Sequence, residues 1–361
     1  MLDAVRLSLQ EVHDTATALL AAQGYNQAHA QAIANTVMMA ERDECRHHGL
    51  FRIPFYINAL RAGQASPDAE PTVTRLAPSI LKVDAHHGFS PLALERGDAP
   101  LAELAREQGI AALVVNNALN VAALWPEVER LAERGLVGMA YVSAAPYVAP
   151  AGGIKPLYGT NPMAFAWPRA GKPPLVFDQA ASASARGEIQ IRMRDGLSLP
   201  EGWAIDVRGN PTTDPKEALA GAQLPFGGVK GASIALMIEL LAGPLMGDTL
   251  SFEAGERDVA GTGAPCGGEL IIAIDPVRCI ENGNRQAQLA HGEMLFEKIL
   301  EQDGTRLPSE RRYEARARTT VEGVTIPRSL YETLQIFKAG NTVERLHAYE
   351  GDELIRSVAV T

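Results

Sequence analysis

The chain has 361 residues, enough for two domains at the usual size of about 150 each, and its 46% hydrophobic and 21% charged residues are those of a globular protein with a sizeable core. Thirty-three basic against forty-three acidic residues leave a net charge of -10, which disfavours nucleic acid and anionic membrane surfaces as partners. Cys45, Cys266 and Cys279 are too few and too scattered for a disulfide framework or a four-cysteine zinc site, so a reducing cytoplasm is the expected location.

The opening MLDAVRLSLQEVHDTATALLAAQGY places Asp, Glu and His inside a helical apolar pattern, which reads as an amphipathic helix and not a signal peptide. The first forty residues give two helices, broken where Gly24 can end the first. ECRHHGLFR, residues 44–52, follows. From Leu50 to Arg61 the spacing is helical up to Gly63, and Pro54 is tolerated only in a first turn, so the motif is expected at a helix start.

Beyond it, ILKVDA and IAALVVNN are β-branched runs, with PLALERGDAPLAELAREQG between them as a helix. LWPEVERLAERG predicts a helix ending on Gly135, and LVGMAYVSA a buried strand. This alternation argues for an α/β protein with a mixed or largely parallel sheet. Residues 146–174 are rich in Gly and Pro, and an ordered loop of that length is usually functional. PLVFDQA is a strand reaching Asp178, and residues 196–230 carry many turn signals and few apolar runs, an ordered excursion.

GASIALMIELLAGPL predicts a helix. The most apolar stretch, Gly231 to Gly247, is interrupted by Glu239 and Pro244 and is too short to span a bilayer, so no membrane segment is expected. ELIIAIDP is a late strand, residues 284–302 a late helix, and LYETLQIF helix-like; the final segment has no evident packing partner.

No GxGxxG follows an early strand, and Gly261-Thr262-Gly263 lacks the third glycine and leads into a strand. FGGVKGAS, residues 226–233, suits either an anion cradle with Lys230 or a Gly-capped turn with a solvated lysine. The adjacent histidine pairs, His47-His48 and His86-His87, come without metal-ligand spacing, so no metal is expected and His86-His87 are taken as structural. His48 and Arg52 fall on one face if a helix begins at His48 or Gly49. An arginine fork suits a carboxylate and an imidazole a proton transfer, although ordinary capping and surface roles fit the same spacing.

HHGLFRIPFYINALRAG, NVAALWPEVERLAERGLV, KPLYGTNPMAFAWP, LVFDQAASASARGEIQI, LPEGWAIDVRGNPTTDP, LPFGGVKGASIALMIELL and LPSERR follow one another over about residues 1 to 320. In that order they resemble the malate/L-lactate dehydrogenase-like family of nicotinamide oxidoreductases, to which sulfolactate dehydrogenases also belong. AALWPEVE and PFGGVKG are most similar to the branch reducing Δ1-piperideine-2-carboxylate and Δ1-pyrroline-2-carboxylate to pipecolate and proline. The resemblance implies the family's own non-Rossmann α/β fold, a mixed sheet flanked by helices with an inserted cofactor-binding domain. It implies a helical N-terminal part of a substrate and dimerisation domain over 1–115, an NADP-binding domain over 116–275, a return to the first domain over 276–330 and a C-terminal extension over 331–361. A homodimer using NADPH, with NADH as the other candidate, goes with it.

Residue by residue, the resemblance implies His48 as proton donor, His47 and Glu188 as its relay, and Arg52, Thr160 and Arg186 at the substrate. Cofactor contacts fall on Asn120, Val121, Ala122, Ala123 and Leu124, on Asp178, Gln179 and Ala180, on Val229 and Lys230, and on Arg306, Pro308, Arg311 and Arg312. The last two arginines would suit a 2′-phosphate. The chain departs from the family pattern at His47, usually Ser, at Glu188, usually Asp, at Ala118-Leu119-Asn120-Val121, usually Ser-His-His-Phe, and at Arg186, often His. The expected reaction is hydride transfer to C2 of a cyclic imino acid. Reduction of a 2-oxo acid of the malate or lactate type is the second reading, and a dimeric binding protein that has lost catalysis is the third.

Overall fold

The computed structural model describes residues 4–338. A short strand, β1 (Ala4–Leu7), precedes α1 (Leu9–Ala22) and α2 (Gln27–Arg42). Ser8 and Asn26 cap these helices by accepting the backbone N–H of Glu11 and His29. Residues 46–52 then form two successive 3-10 turns, Arg46–His48 and Leu50–Arg52, and α3 (Ile53–Arg61) begins only at Ile53, with Pro54 in its first turn. The expected α-helical start at His48 or Gly49 is thereby corrected. Pro54 has no N–H for a helical bond back to the Leu50 carbonyl, and the Leu50 N–H donates to the buried Glu41 carboxylate at 2.8 Å. A Cβ at Gly49 would collide with that carboxylate.

Next come β2 (Thr72–Ala77), β3 (Ile80–Asp84), α4 (Ser90–Gln108), β4 (Ile110–Leu119), α5 (Trp125–Glu133), β5 (Val137–Val142), β6 (Met163–Trp167) and β7 (Leu175–Gln179). After α6 (Arg186–Arg194) the excursion folds as a small sheet of β8 (Ala204–Ile205), β9 (Pro211–Thr212) and, beyond α7 (Pro215–Ala220), β10 (Ala222–Gln223). The chain closes with α8 (Val229–Ala242), α9 (Ser251–Arg257), β11 (Cys266–Ile274), α10 (Arg285–Leu300), α11 (Glu310–Glu322), β12 (Val324–Pro327) and α12 (Arg328–Lys338).

The main sheet runs β2-β3-β4-β11-β5-β6-β7. It is mixed but not largely parallel: β3 and β4, joined through α4, form its parallel pair, while β11 lies antiparallel to both β4 and β5. Both faces are covered, which is why β4 reads as a nearly continuous apolar run. Ile271 and Ala273 of β11 join the core beneath α4 and α5, whereas Gly268 abuts Ala242 and Met246 at the end of α8. A second core packs α1, α2 and α3 against β12 and α12, with Leu19, Phe51, Tyr56, Ile326 and Phe337 inside it, and β1 pairs with β12. One unit is thus assembled from both ends of the described chain. The boundary expected at 115/116 falls inside β4 and that at 275 directly after β11, so the main sheet runs through the expected insertion.

LYETLQIF lies in α12, and residues 339–361 of the expected extension fall outside the described residues. The span Val229–Met246 has a mean hydropathy of 1.5 over 18 residues. Its α-helix, however, ends at Ala242 before Gly243 and Pro244, about 21 Å long at 1.5 Å per residue and short of a hydrocarbon core of about 30 Å.

Candidate active site

The two 3-10 turns do what a helix start would not: they present His47, His48 and Arg52 to one cavity of about 570 Å³. Arg52 is steered by its own neighbourhood, with Nε donating to the His47 carbonyl at 2.7 Å and the guanidinium 4.8 Å from the centre of the Phe55 ring. His47 and His48 stack obliquely, 4.5 Å between ring centres. Nδ1 of His48 lies 3.1 Å from the Val121 carbonyl oxygen. Against a carbonyl, that nitrogen must carry the hydrogen, which leaves Nε2 as the atom that gains or loses a proton.

The opposite wall is the segment after β4. Asn120, Val121, Ala122, Ala123 and Leu124 all line the cavity, as do Asp178, Gln179 and Ala180 at the end of β7. Asp178 accepts the N–H groups of Leu124 and Trp125 at 2.9 and 3.0 Å, and so caps α5 and clamps the two segments together. Asn120 receives the Ala122 N–H and donates to Glu269 of β11 at 2.9 Å. Thr160 also lines the cavity. Its GTNP turn is anchored by Glu239, the carboxylate that interrupts the apolar run of α8, which accepts from Asn161 at 2.7 Å and from the Gly159 N–H at 3.3 Å.

Charge inside the cavity is set by burial. It pushes His48 well below the ordinary imidazole range, with His47 and Arg52 adding to the effect and the Val121 carbonyl opposing it. His47 falls to about 4, by burial first and Arg52 second. Both rings are therefore neutral near pH 7 in the ligand-free protein. Burial raises the Cys45 thiol to about 12, which makes it a spectator beside His47 at 3.7 Å. Burial also raises Asp178, against the two N–H groups and Arg312, and takes Glu41 up to about 7.

Arg312 lines the same cavity, 4.9 Å from the centre of the Trp125 ring. Its Nη1 and the Trp125 Nε1 are buried without hydrogen-bond partners, unmet donors of the kind a phosphate or ribose satisfies. The walls therefore fit a nicotinamide dinucleotide, with the Asn120–Leu124 and Asp178–Ala180 segments along it and Arg312 at an anionic end.

Several expected residues are elsewhere. Glu188 does not meet His48: it pairs with Arg192 one turn along α6 at 3.0 Å, and its place beside the histidine is taken by the Val121 carbonyl. What α6 brings to the turn is Gly187, where a Cβ would stand 2.9 Å from His47 Cβ and 3.1 Å from Arg52 Nη2. Val229 and Lys230 are exposed at the start of α8, and Arg306, Pro308 and Arg311 are exposed around the start of α11, all apart from the cavity lining. Arg186 lines the cavity. Residues with no motif to mark them also belong to the cavity or its support: Glu41 beneath the turn, Gly187 against it, and Phe55, Tyr147 and Gly263 in the cavity wall. Among the described residues no three His, Cys, Asp or Glu side chains are grouped to hold a metal ion.

The malate/L-lactate dehydrogenase family model matches residues 7–335. A Δ1-pyrroline-2-carboxylate/Δ1-piperideine-2-carboxylate reductase of Pseudomonas aeruginosa is 51% identical over 91% of this chain and 98% of that protein. A (2R)-3-sulfolactate dehydrogenase (NADP(+)) of Chromohalobacter salexigens is 41% identical over 92% of this chain and 97% of its own. The crystal structure of a Δ1-piperideine-2-carboxylate reductase from Pseudomonas syringae pvar. tomato superposes with a TM-score of 0.85 at 38% identity, covering 92% of this chain and 99% of that one.

Proposed function

The chain belongs to the malate/L-lactate dehydrogenase family and is an oxidoreductase, and from that premise we propose that it reduces Δ1-pyrroline-2-carboxylate or Δ1-piperideine-2-carboxylate to proline or pipecolate at the expense of NADPH. The observation that carries this reading is the shared cavity of His48, Arg52 and the Asn120–Leu124 wall. Half-identical relatives named for these two substrates support it.

When bound, the nicotinamide supplies the hydride that C2 of the substrate receives. Arg52 holds the C2 carboxylate through its fork and so fixes which carbon faces the cofactor wall. His48 delivers a proton from Nε2 to the imine nitrogen while the Val121 carbonyl keeps Nδ1 protonated and the ring in place. Burial first, then His47 and Arg52, favour the neutral form of His48. A bound carboxylate offsets that guanidinium charge, so substrate entry and loading of the proton go together. His47 stacks on the donor and excludes water from one side.

The cofactor would lie on residues of the 116–275 segment with Arg312 at its 2′-phosphate, giving NADPH the advantage over NADH. A homodimer is supported by the apolar side chains that α8 and its neighbours leave exposed, Leu236, Met237, Leu240, Leu245 and Phe252. Three free thiols fit a cytoplasmic setting.

A screen of NADPH oxidation against the two cyclic imines, pyruvate and oxaloacetate tests the reaction. Turnover of the imines far above the oxo acids is expected; the reverse order would establish the second reading, proton delivery to a carbonyl oxygen, which the sulfolactate dehydrogenase relative favours. No NADPH oxidation with any of them would overturn both.

A further inference from the structure

Behind the Asn120–Leu124 wall lies a buried carboxyl group that the reaction proposed above does not use. Glu269 is 1% exposed in the central strand β11, two residues from Ile271 and so on the strand face that packs under α4 and α5. The ladder between β4 and β11 slips beside it. Glu269 stands opposite Val115 but Gly267 opposite Ala118, so β4 carries one residue more than β11 there, with Asn117 at φ 53°. A bulge of this kind re-aims the chain that follows, and the chain that follows here is Asn120 to Leu124.

From Glu269 the contacts run to the reacting turn without a gap. Asn120 Oδ1 accepts the Ala122 N–H at 3.0 Å, which fixes the orientation of the amide and leaves Nδ2 to donate to Glu269 Oε2 at 2.9 Å. The Ala122 N–H and the Val121 carbonyl belong to one planar trans peptide and point opposite ways. One edge of that peptide is therefore held by Asn120, and the other meets His48 Nδ1 at 3.1 Å. Because Oε2 is taken as an acceptor, a proton on Glu269 sits on Oε1, which is buried with no partner among the described residues, as is Glu127 Oε2. Burial first and Glu127 second push Glu269 well above the ordinary carboxyl range. This favours the neutral acid, which still accepts from Asn120 and adds no charge beside the cavity wall.

We propose that Glu269 is a positioning residue for proton delivery at His48, acting through the Asn120 amide and the peptide that joins Val121 to Ala122. The inference rests on the reading of His48 as proton donor. With Glu269 in place the peptide is held at both edges, Nδ1 keeps its hydrogen and Nε2 remains the exchanging atom. Without it the Asn120 amide is free to turn, the peptide loses one of its two holds, and the His48 ring shifts toward the tautomer with hydrogen on Nε2.

The test joins a readout of the ring to one of turnover. In the full chain, ligand-free and with its histidines isotope-labelled for nitrogen NMR, the His48 signals are assigned by comparison with His48→Gln and should show hydrogen on Nδ1. Glu269→Leu should move them toward the other tautomer; Glu269→Gln, whose amide oxygen still accepts from Asn120, should not. Leu in place of a buried acid is often neutral for stability, and Asn120→Ala cuts the same link from the other side should Glu269→Leu not fold. In NADPH oxidation with the best of the substrates screened above, Glu269→Leu should lower kcat by about 10- to 100-fold, the scale of a misplaced group, with substrate KM within about threefold. Glu269→Gln should retain most of the lost rate. Added to Asn120→Ala, Glu269→Leu should have no further effect, since both break one link. Hydrogen on Nε2 in the unaltered protein, an unmoved tautomer in Glu269→Leu and Asn120→Ala, an unchanged kcat in Glu269→Leu, or losses that multiply in the double variant would overturn the proposal. No turnover of any substrate by the unaltered protein, with the tautomer still shifting in the variants, would remove the reductase reading and leave Glu269 as the residue that orients His48.

Discussion

Nδ1 of His48 lies 3.1 Å from the main-chain carbonyl of Val121, so the ring of the proposed proton donor is oriented by the same segment that forms the proposed cofactor wall. His48→Ala should therefore lower kcat by about 10²- to 10⁴-fold, the usual share of a positioned acid. Coenzyme affinity, measured by fluorescence titration, should stay within about threefold, because Val121 contributes backbone and keeps its place. Unchanged turnover would remove His48 from the chemistry.

The carboxylate of Glu188 is committed to Arg192. Glu188→Gln should leave kcat within about threefold across the neutral range, since the amide still bonds Arg192 and His48 keeps its carbonyl partner. A fall of about 100-fold, the size expected of a lost catalytic proton partner, would return Glu188 to the relay.

Gly187 is the contact point between α6 and the reacting turn. Gly187→Ala puts a methyl group 2.9 Å from His47 Cβ and 3.1 Å from Arg52 Nη2, so the turn that carries both must shift and Arg52 with it. KM for the imino acid should rise by about tenfold or more, as when a positioning group is misplaced, with the KM for NADPH little altered. Arg52→Lys, which keeps charge and loses the fork, should act on the same parameter. Normal substrate KM in both variants would mean that the carboxylate is held elsewhere.

Three histidines, His29 buried and His47 and His48 half-buried in the cavity wall, make stability pH-dependent. His29, His47 and His48 are all lowered in the folded state, each by burial first. The unfolded chain, with imidazoles near the ordinary ~6.5, then binds protons before the folded one does. Their contribution is complete above about pH 6.5 and is lost as pH falls toward the folded values, about 4 for His47. Thermal midpoints should drop between pH 6.5 and 4, and replacing His29 with Gln should flatten the decline. Binding of pyridine-2-carboxylate should take up protons near neutral pH, read by calorimetry in buffers of different ionisation enthalpy; proton-neutral binding would sever the link between Arg52 and His48.

Much of this site was legible in the chain, though for uneven reasons. Residue type and four-residue spacing make His48 and Arg52 candidates and the family resemblance gives them roles, and they do share a cavity. The geometry that joins them, two 3-10 turns around Gly49, depends on Glu41 and could not be read from local periodicity. Helices α1 to α5, α8 and α10 and the strands β3, β4, β5, β7 and β11 announce themselves through apolar period and composition, whereas the polar α11 does not. β1 and β12 did not, because each is four residues long and is stabilised by the other across nearly the whole chain. β6 was hidden in a Gly- and Pro-rich stretch, and α6 in a polar one. Glu188 was placed by resemblance to a position, and a helical neighbour four residues away captured its side chain instead. Gly187 carried no signal at all, since only the packed structure shows what its missing Cβ makes room for.

The position of β11 has a consequence for how the protein is made. It fills the centre of the sheet between β4 and β5, yet it leaves the ribosome after α5, β6, β7 and the whole small sheet. A nascent chain that ends at α9 holds two half-sheets with bare inner edges, the kind of surface that invites edge-to-edge aggregation and chaperone capture. The same late strand delivers Glu269 to Asn120, and the Pro265 carbonyl to the Asn120 N–H at 3.1 Å. Shape in the Asn120–Leu124 cavity wall and closure of the sheet therefore come from one event of high contact order, and maturation of the enzyme waits on translation of its final third.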